Sequence, residues 1–483
     1  MAQEITHYPV YINGEWLDSS KRERFEVQNP VNNETYATVT ACTTEDVQYA
    51  LDTSEKAQFG WHLTPAQTRA NYIFALCDKL KEKREHFATL LVKEQGKTYA
   101  EALGEVDDTV RYMSYAAEAG RRIQGAIFPS ENPNERLEIH KVPYGVTVAL
   151  CAFNYPLALI GRKLGPALVT GNTIILKPHE LTPTTTSEFC KLVEEVGFPH
   201  GVVNMVATTN AQAASLLVES PKTRLISLTG STNAGRAMYR AAADNITGLI
   251  LELGGKAPFI VLEDADIDKA VEAAAISRYA NCGQVCICNE MVFVDDKIAD
   301  EFTDKLIKRV QQIKTGDPFD ASVNMGPNVS SQGLERVDGL VKQDIANGAE
   351  LIMGGGRPEG AQFEKGNWYA PTILTNVKHD FATTSEELFA PVLPIVKING
   401  FDEAMAINNG REEALSAYLF TNDYKIHQKA IDQLQVGTIF INKQIVGYIQ
   451  GYHSGHKTSG IAGEDGIYGI DHHLQNKTIY LDY

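Results

Sequence analysis

The chain has 483 residues, enough for two or three domains and for a core that needs no disulfide scaffold. With 43% apolar and 22% charged residues, the composition excludes a disordered, collagen-like or coiled-coil chain. Its 61 acidic against 44 basic residues give a net charge of −17, which argues against nucleic acid and anionic membranes as partners but not against a nucleotide held by local groups.

In chain order, Met1-Ala2-Gln3-Glu4-Ile5-Thr6-His7 holds neither a basic cluster nor an apolar run and is not read as a signal peptide. Val10-Tyr11-Ile12-Asn13-Gly14-Glu15-Trp16 reads as a hairpin, because Asn13-Gly14 suits a type I′ turn. Residues 44–60 and 64–120 read as long amphipathic helices, with Leu76, Leu80, Phe87, Leu90 and Leu91 near helical spacing. Residues 123–144 have extended, proline-containing character. The uncharged stretch 142–161 is long enough to span a bilayer, but Pro143, Gly145, Asn154 and Pro156 interrupt it, so it reads as strand, turn and helix start.

From residue 145 strands and helices alternate. Strands are expected at 146–150, 173–176, 202–206, 225–229 and 249–251. A helix with Phe189, Leu192, Val193 and Val196 on one face stops at Gly197, ahead of Pro199. This alternation implies a parallel, doubly wound sheet. A second α/β series has strands at 259–262, 291–294, 392–396 and 438–442, and the tail 477–481 reads as an exposed strand. Segments 123–144 and 477–481 look like strands without a partner in their own domain, free to pair with a neighbouring subunit.

In doubly wound sheets ligands sit beyond the carboxyl ends of the strands, which singles out Asn154, Lys177, Gly230 and Glu252. Gly230-Ser231-Thr232-Asn233-Ala234-Gly235 can cradle a phosphate on backbone N–H groups, with Ser231 as cap, or can simply be a capped helix start. It is not a P-loop, since Arg236-Ala237 stand where Lys-Ser/Thr is required. Lys177 and Glu180, after the second strand, stand where ribose hydroxyls are bound, or are a solvated pair in a polar loop. The seven cysteines, Cys42, Cys77, Cys151, Cys190, Cys282, Cys286 and Cys288, are sparse and odd in number, which fits a reduced, cytoplasmic protein. Three of them crowd into 282–288, but without zinc spacing or a second Cys/His pair no metal is expected. What remains is a buried structural thiol or a catalytic thiolate, and the latter needs a base and an oxyanion site. Glu252, followed by Leu253-Gly254-Gly255, is a carboxylate ill placed for packing, and Asn154 can donate to an oxyanion.

Together these motifs resemble the aldehyde dehydrogenase superfamily over essentially the whole chain. The matching runs are Phe153-Asn154-Tyr155-Pro156, Leu176-Lys177-Pro178-His179-Glu180, Thr229-Gly230-Ser231-Thr232, Leu251-Glu252-Leu253-Gly254-Gly255-Lys256, Gly283-Gln284-Val285-Cys286 and Glu386-Glu387-Leu388-Phe389-Ala390-Pro391. The resemblance implies Cys286 as nucleophile, Glu252 as general base, and Asn154 with the Cys286 N–H as oxyanion hole. It implies NAD as cofactor, with NADP disfavoured by Glu180. Lys177 and Glu180 would hold the adenosine ribose, Gly230 and Ser231 the pyrophosphate, and Glu387 and Phe389 the nicotinamide ribose and ring. The implied fold is α/β, two doubly wound domains plus a small β oligomerisation element. Residues 1–122 and 145–253 would form the NAD-binding domain and 254–440 the catalytic domain. Residues 123–144 and 470–483 would be oligomerisation strands, and 441–469 a substrate-pocket loop and return segment. A homodimer or homotetramer is implied, acting on a small-molecule aldehyde.

Phe153 replaces the usual Trp, Ala390 the usual Gly, and Ala207-Thr208-Thr209-Asn210 lacks the usual glycines. Gly451-Tyr452-His453-Ser454 in place of Pro-Phe-Gly-Gly resembles the lactaldehyde/glycolaldehyde dehydrogenase branch, as does Cys286-x-Cys288, which succinate-semialdehyde dehydrogenases share. Arg162, Ile287 and His453 are the expected substrate contacts, with Arg162 offered to a hydroxyl or carboxylate of a small polar aldehyde. Ile287 stands where the lactaldehyde branch tends to have Asn, and Lys443-Gln444 where it has a basic-acidic pair, which makes the pocket more apolar. The rival readings are an acylating, CoA-dependent relative, which would lack Glu252; a thiol hydrolase, which would need a His partner for Cys286; and a non-catalytic binding or structural descendant, which would have lost a catalytic residue.

Overall fold

The computed structural model describes residues 5–18, 20 and 22–483. Residues 1–4, part of the stretch read for a signal peptide, lie outside the described residues. The expected hairpin forms from Val10–Ile12 and Glu15–Leu17, with Asn13 at φ 55° and Gly14 at φ 79° in the left-handed pair that a type I′ turn demands.

Helix α1, Thr44–Leu63, opens with a capping box between Thr43 and Asp46. The single long helix expected over 64–120 is in fact three: α2, Ala66–Glu82; α3, Arg84–Gln95; and α4, Tyr99–Glu118. Lys83, at φ −104° and ψ 22°, breaks the first junction, and Gly96, left-handed at φ 88°, ends α3. Thr98 then starts α4 with a capping box to Glu101. The apolar spacing runs across these breaks because each helix buries one face in the same core, through Leu76 and Leu80, then Phe87, Leu90 and Leu91. α5, Pro156–Thr170, begins on a proline at its first turn, stops at Gly171 with φ 95°, and is buried almost throughout.

The first sheet has the order Val203–Met205, Thr173–Lys177, Val146–Leu150, Thr223–Thr229, Gly248–Glu252, with Gly460–Ile461 added antiparallel at the edge. The order reverses between Val146–Leu150 and Thr223–Thr229. That switch point opens a crevice at the strand ends carrying Asn154 and Gly230. The second sheet runs Glu350–Met353, Thr372–Thr375, Val392–Ile398, Asn289–Asp295, Ala257–Val261, Ser416–Phe420, Thr438–Ile441 and is parallel apart from its first strand.

A third, antiparallel sheet joins Ala126–Phe128, Glu135–Pro143 and Leu474–Asp482. This corrects the expectation of two partnerless strands. The tail pairs with Glu135–Pro143 of its own chain over nine residues, and the unpaired edges are the outer ones. Periodicity in each segment could not show this, because pairing across more than three hundred residues leaves no local signal. Among the described residues no helix is long and apolar enough to cross a membrane.

Candidate active site

Asn154 follows the strand Val146–Leu150, just ahead of α5, and is buried. Its carbonyl accepts from Lys97 Nζ at 2.8 Å and Asn281 Nδ2 at 3.0 Å. Its own Nδ2 donates to Gln284 O at 3.1 Å, which leaves the amide a second N–H to offer. Glu105 on α4 accepts from the N–H groups of Leu157 and Ala158 at 2.8 and 3.2 Å, two of the orphan donors at the start of α5, and its other oxygen takes Lys97 Nζ. Lys97 also lies over the Tyr155 ring, 3.9 Å from its centre.

Cys286 is reached through a left-handed turn in which Asn281, Cys282 and Gly283 have φ of 47°, 58° and 76°. Gly283 is required there, since a Cβ would lie 2.4 Å from Ala390 O. Non-glycine residues in this region cost of order 1–3 kcal/mol each, least for Asn. The Cys286 thiol is half-buried, and among the described residues its backbone N–H has no acceptor. Burial pushes the thiol up to about 12; Arg162 and the Ile287 N–H oppose the rise, and Glu252 and Glu387 add to it. Cys288 is buried instead, its Sγ 3.6 Å from Gly283 O and 3.7 Å from Glu290 Oε1. Ile287 packs its side chain against the core of the second sheet while its carbonyl accepts from Tyr418 Oη at 2.5 Å.

Glu252 ends the strand Gly248–Glu252 at 2% exposure, and neither of its carboxylate oxygens has a hydrogen-bond partner among the described residues. Burial raises it well above the usual carboxylate range and Glu464 adds to the rise, against Arg162 and Lys163. His453 Nε2 lies 3.4 Å from Glu252 Oε2, close but not aligned as a hydrogen bond. Burial, with Arg162 nearby, lowers His453 to about 3, so the ring is neutral. Lys163, an ammonium buried in α5, binds Glu464 and donates to Ser227 Oγ at 3.2 Å and Thr229 Oγ1 at 2.8 Å.

Arg162 departs from expectation. Its Nε and Nη2 donate to Asp465 at 3.0 and 2.6 Å, and Nε lies 3.5 Å from Glu464, so the fork meant for a substrate carboxylate is already occupied. Asp465 holds φ 65° and ψ 166°, a backbone region nearly confined to glycine, and the pair with Arg162 helps to pin it. Sequence reasoning missed Lys97, Glu105, Lys163, Glu464, Asp465, Asn281 and Glu290. Only Lys163 left a legible signal, as one of two basic residues in the otherwise apolar α5.

On the other side of Cys286, Glu387 Oε1 accepts from Gly255 N–H at 3.0 Å, and burial raises this carboxyl to about 7. Gly254 leaves room for it, since a Cβ there would lie 2.6 Å from Glu387 Oε2. Phe389, at φ 53°, meets Phe153 edge-on at 5.8 Å, and Phe153 meets His179 at 5.3 Å. Glu290 anchors this turn by accepting from the N–H groups of Leu388 and Phe389 at 2.6 and 3.2 Å, and it is itself held by Lys256 and Arg278. Lys177 is half-buried at its strand end and Glu180 is exposed three residues on. Ser231 caps the helix Thr232–Ala243, its Oγ accepting from Ala234 N–H at 3.2 Å, while Gly230 N–H donates to Glu252 O at 3.0 Å. These groups fit a nicotinamide dinucleotide: a helix N-terminus for phosphate, two carboxylates for hydroxyl groups, and an aromatic turn at Phe389. Among the described residues no group of three or more His, Cys, Asp or Glu is placed to hold a metal.

The aldehyde dehydrogenase family matches residues 16–479. The chain is 41% identical to a 3,6-anhydro-alpha-L-galactose dehydrogenase of Vibrio sp. (strain EJY3) over 99% of its own length and 100% of the relative. It is 37% identical to the lactaldehyde dehydrogenase of Escherichia coli (strain K12) over 100% of both chains. A solved 3,6-anhydro-L-galactose dehydrogenase in complex with NAP superposes with a TM-score of 0.96 at 41% identity, over 99% of this chain and 100% of that one. The chain therefore belongs to the aldehyde dehydrogenase family, whose named relatives are NAD(P)-dependent oxidoreductases.

Proposed function

We propose that, as a member of this family, the chain oxidises a small neutral hydroxyaldehyde of the lactaldehyde or glycolaldehyde type to its carboxylate, with NAD preferred. The observation that carries the hydrolytic reading is Glu252, a buried carboxylate with no hydrogen-bond partner among the described residues, whose charge acts on the Cys286 thiol. Glu252 takes the Cys286 proton, and the thiolate adds to the aldehyde carbon. The oxyanion of this thiohemiacetal is held by the free N–H of Asn154 and the backbone N–H of Cys286. Lys177, Glu180, Gly230, Ser231, Glu387 and Phe389 would hold the nicotinamide cofactor, which when bound would supply the hydride acceptor. Glu252, its proton passed to solvent, then removes a proton from the water that hydrolyses the thioester, and the carboxylate leaves. A resident base of this kind favours hydrolysis over acyl transfer to a carrier thiol.

The substrate reading rests on Arg162. With its charge met by Asp465, Arg162 offers a substrate no uncompensated cation among the described residues. That suits hydroxyl groups better than the second carboxylate of a succinate-type semialdehyde. The names of the Vibrio and Escherichia relatives, both aldehydes with hydroxyl groups, support the same class. An exposed carboxylate at Glu180 supports NAD, because it would repel a 2′-phosphate. Seven unpaired thiols support a reduced, cytoplasmic setting. The test is kcat/KM for glycolaldehyde, lactaldehyde, succinate semialdehyde and hexanal, with the native enzyme and Arg162→Met. The two hydroxyaldehydes should lead, and all four substrates should lose in the variant, which leaves buried Asp465 without its partner. Hexanal as best substrate, or indifference of every substrate to Arg162→Met, would overturn the polar-pocket reading; succinate semialdehyde as best would move it to that branch.

A further inference from the structure

We propose that Asn281 is a positioning residue that builds the oxyanion site by tying together the two segments that supply its donors. The proposal rests on the reading of Asn154 and the Cys286 N–H as those donors. They come from different sheets: Asn154 from the end of Val146–Leu150, and Cys286 from the loop ahead of Asn289–Asp295. Their separation must be held to a fraction of an ångström for both to reach one oxygen.

Asn281 spans that gap with one amide. Its Nδ2 donates to Asn154 O at 3.0 Å and to Gln284 O at 3.3 Å. Gln284 O also accepts from Asn154 Nδ2 at 3.1 Å, so the three residues close a ring in which each amide limits the others. The rest of Asn281 is fixed as firmly. Its N–H donates to Glu101 Oε1 at 2.6 Å, and its carbonyl accepts from Gln284 N and Nε2 at 3.0 and 2.9 Å. All three residues are buried.

The residue type follows from two demands that meet at this position. The backbone, at φ 47° and ψ 38°, is left-handed, where Asn, Asp and Gly are the tolerated residues. The side chain must also donate, which Asp and Gly cannot do. Asn satisfies both, and the left-handed turn through Asn281, Cys282 and Gly283 is what carries the chain from the clamp to the nucleophile.

Asn281→Gly keeps the turn and deletes the clamp. In an enzyme whose native form first shows aldehyde-dependent NADH formation, this variant should lose at least tenfold in kcat. NAD affinity, read by quenching of protein fluorescence, and thermal midpoint should stay near native. Because Asn281 acts through Asn154, adding the substitution to Asn154→Ala should cost no more than about twofold further. Asn281→Asp, nearly isosteric and suited to the same turn, should lose kcat in the same way, and it decides the matter if the glycine variant does not fold. A native kcat in either variant, a loss that multiplies fully in the Asn154→Ala background, or a loss matched by weakened NAD binding would overturn the proposal. Absence of aldehyde oxidation in the native enzyme would instead overturn the functional reading on which it rests.

Discussion

In the proposed mechanism burial at Cys286 opposes the ionisation that reactivity requires, so the thiol would depend on a base that is itself reluctant to hold charge. Both groups are shifted upward, the thiol to about 12 and Glu252 well above its usual range, and the sign for activity follows directly. A carboxyl with a raised pKa stays protonated, and useless as a base, until the pH climbs through that raised value. Activity should therefore rise with pH along a limb governed by Glu252. His453, lowered to about 3, is neutral throughout and adds no bend. A kcat profile from about pH 5 to about pH 10 checks this, and Glu252→Gln should abolish the limb together with both the first burst of NADH and steady-state turnover. Cys286→Ala should abolish NAD reduction and leave NAD binding intact, whereas Cys288→Ala, a change at a buried thiol beside Glu290, should stay active; the reverse pattern would refute the assignment. Glu180→Thr removes a carboxylate and should narrow the gap between NAD and NADP in kcat/KM. The proposed roles of these residues came from the family motifs: Glu252 and Glu180 stand at or just after strand ends, and Cys286 in a cysteine-rich run ahead of Asn289–Asp295. The partner of Arg162 was not legible, since Asp465 lies 303 positions away.

The elements show where local reading succeeds and where it stops. Strands of the first sheet were visible as apolar runs because both faces are buried, and the hairpin because Asn13-Gly14 has one natural turn. Thr372–Thr375 and Ser416–Phe420, short and flanked by ordinary loops, were not. The turn at 387–390 is the clearest case of an element built from a distance: its shape comes from Glu290, which no motif announced. Glu290 is lowered to about 2 although burial alone would raise it, because Arg278 and Lys256 surround it. Its folded pKa is depressed, so its contribution to stability is fully present above the ordinary value of 4.5 and is lost as the pH falls from there towards about 2. Glu290→Gln leaves two buried cations without their counter-ion and should cost about 3–5 kcal/mol. Urea melts should show that deficit in full at neutral pH and a shrinking one below the ordinary carboxylate value. The variant should also bind NAD more weakly, since the N–H groups of Leu388 and Phe389 lose the charged acceptor that shapes their turn.

For the whole molecule, the sequence announced an α/β chain with extra strands at 123–144 and at the tail, but not that those strands meet in one sheet. That sheet has a consequence for assembly. Ala126–Phe128 and Leu474–Asp482 form its outer edges, and they carry Ile127 at 68% exposure, Tyr480 at 70% and Leu481 at 41%. Ile467 and Tyr468, at 64% and 62%, extend the apolar surface towards Leu474. A chain with net charge −17 keeps its surface soluble elsewhere, so apolar side chains on open strand edges mark a face that a further copy would cover. The expectation is a dimer or a pair of dimers, read by light scattering at micromolar concentration as a multiple of 53.1 kDa. Ile127→Glu combined with Tyr480→Glu should shift the mass towards one chain. Because both side chains are exposed, the variant should keep its secondary structure by circular dichroism, and its thermal midpoint should fall by no more than the lost assembly accounts for. A native enzyme that scatters as a single chain would refute the assembly outright. A doubly charged variant that remains oligomeric would place the interface on another face.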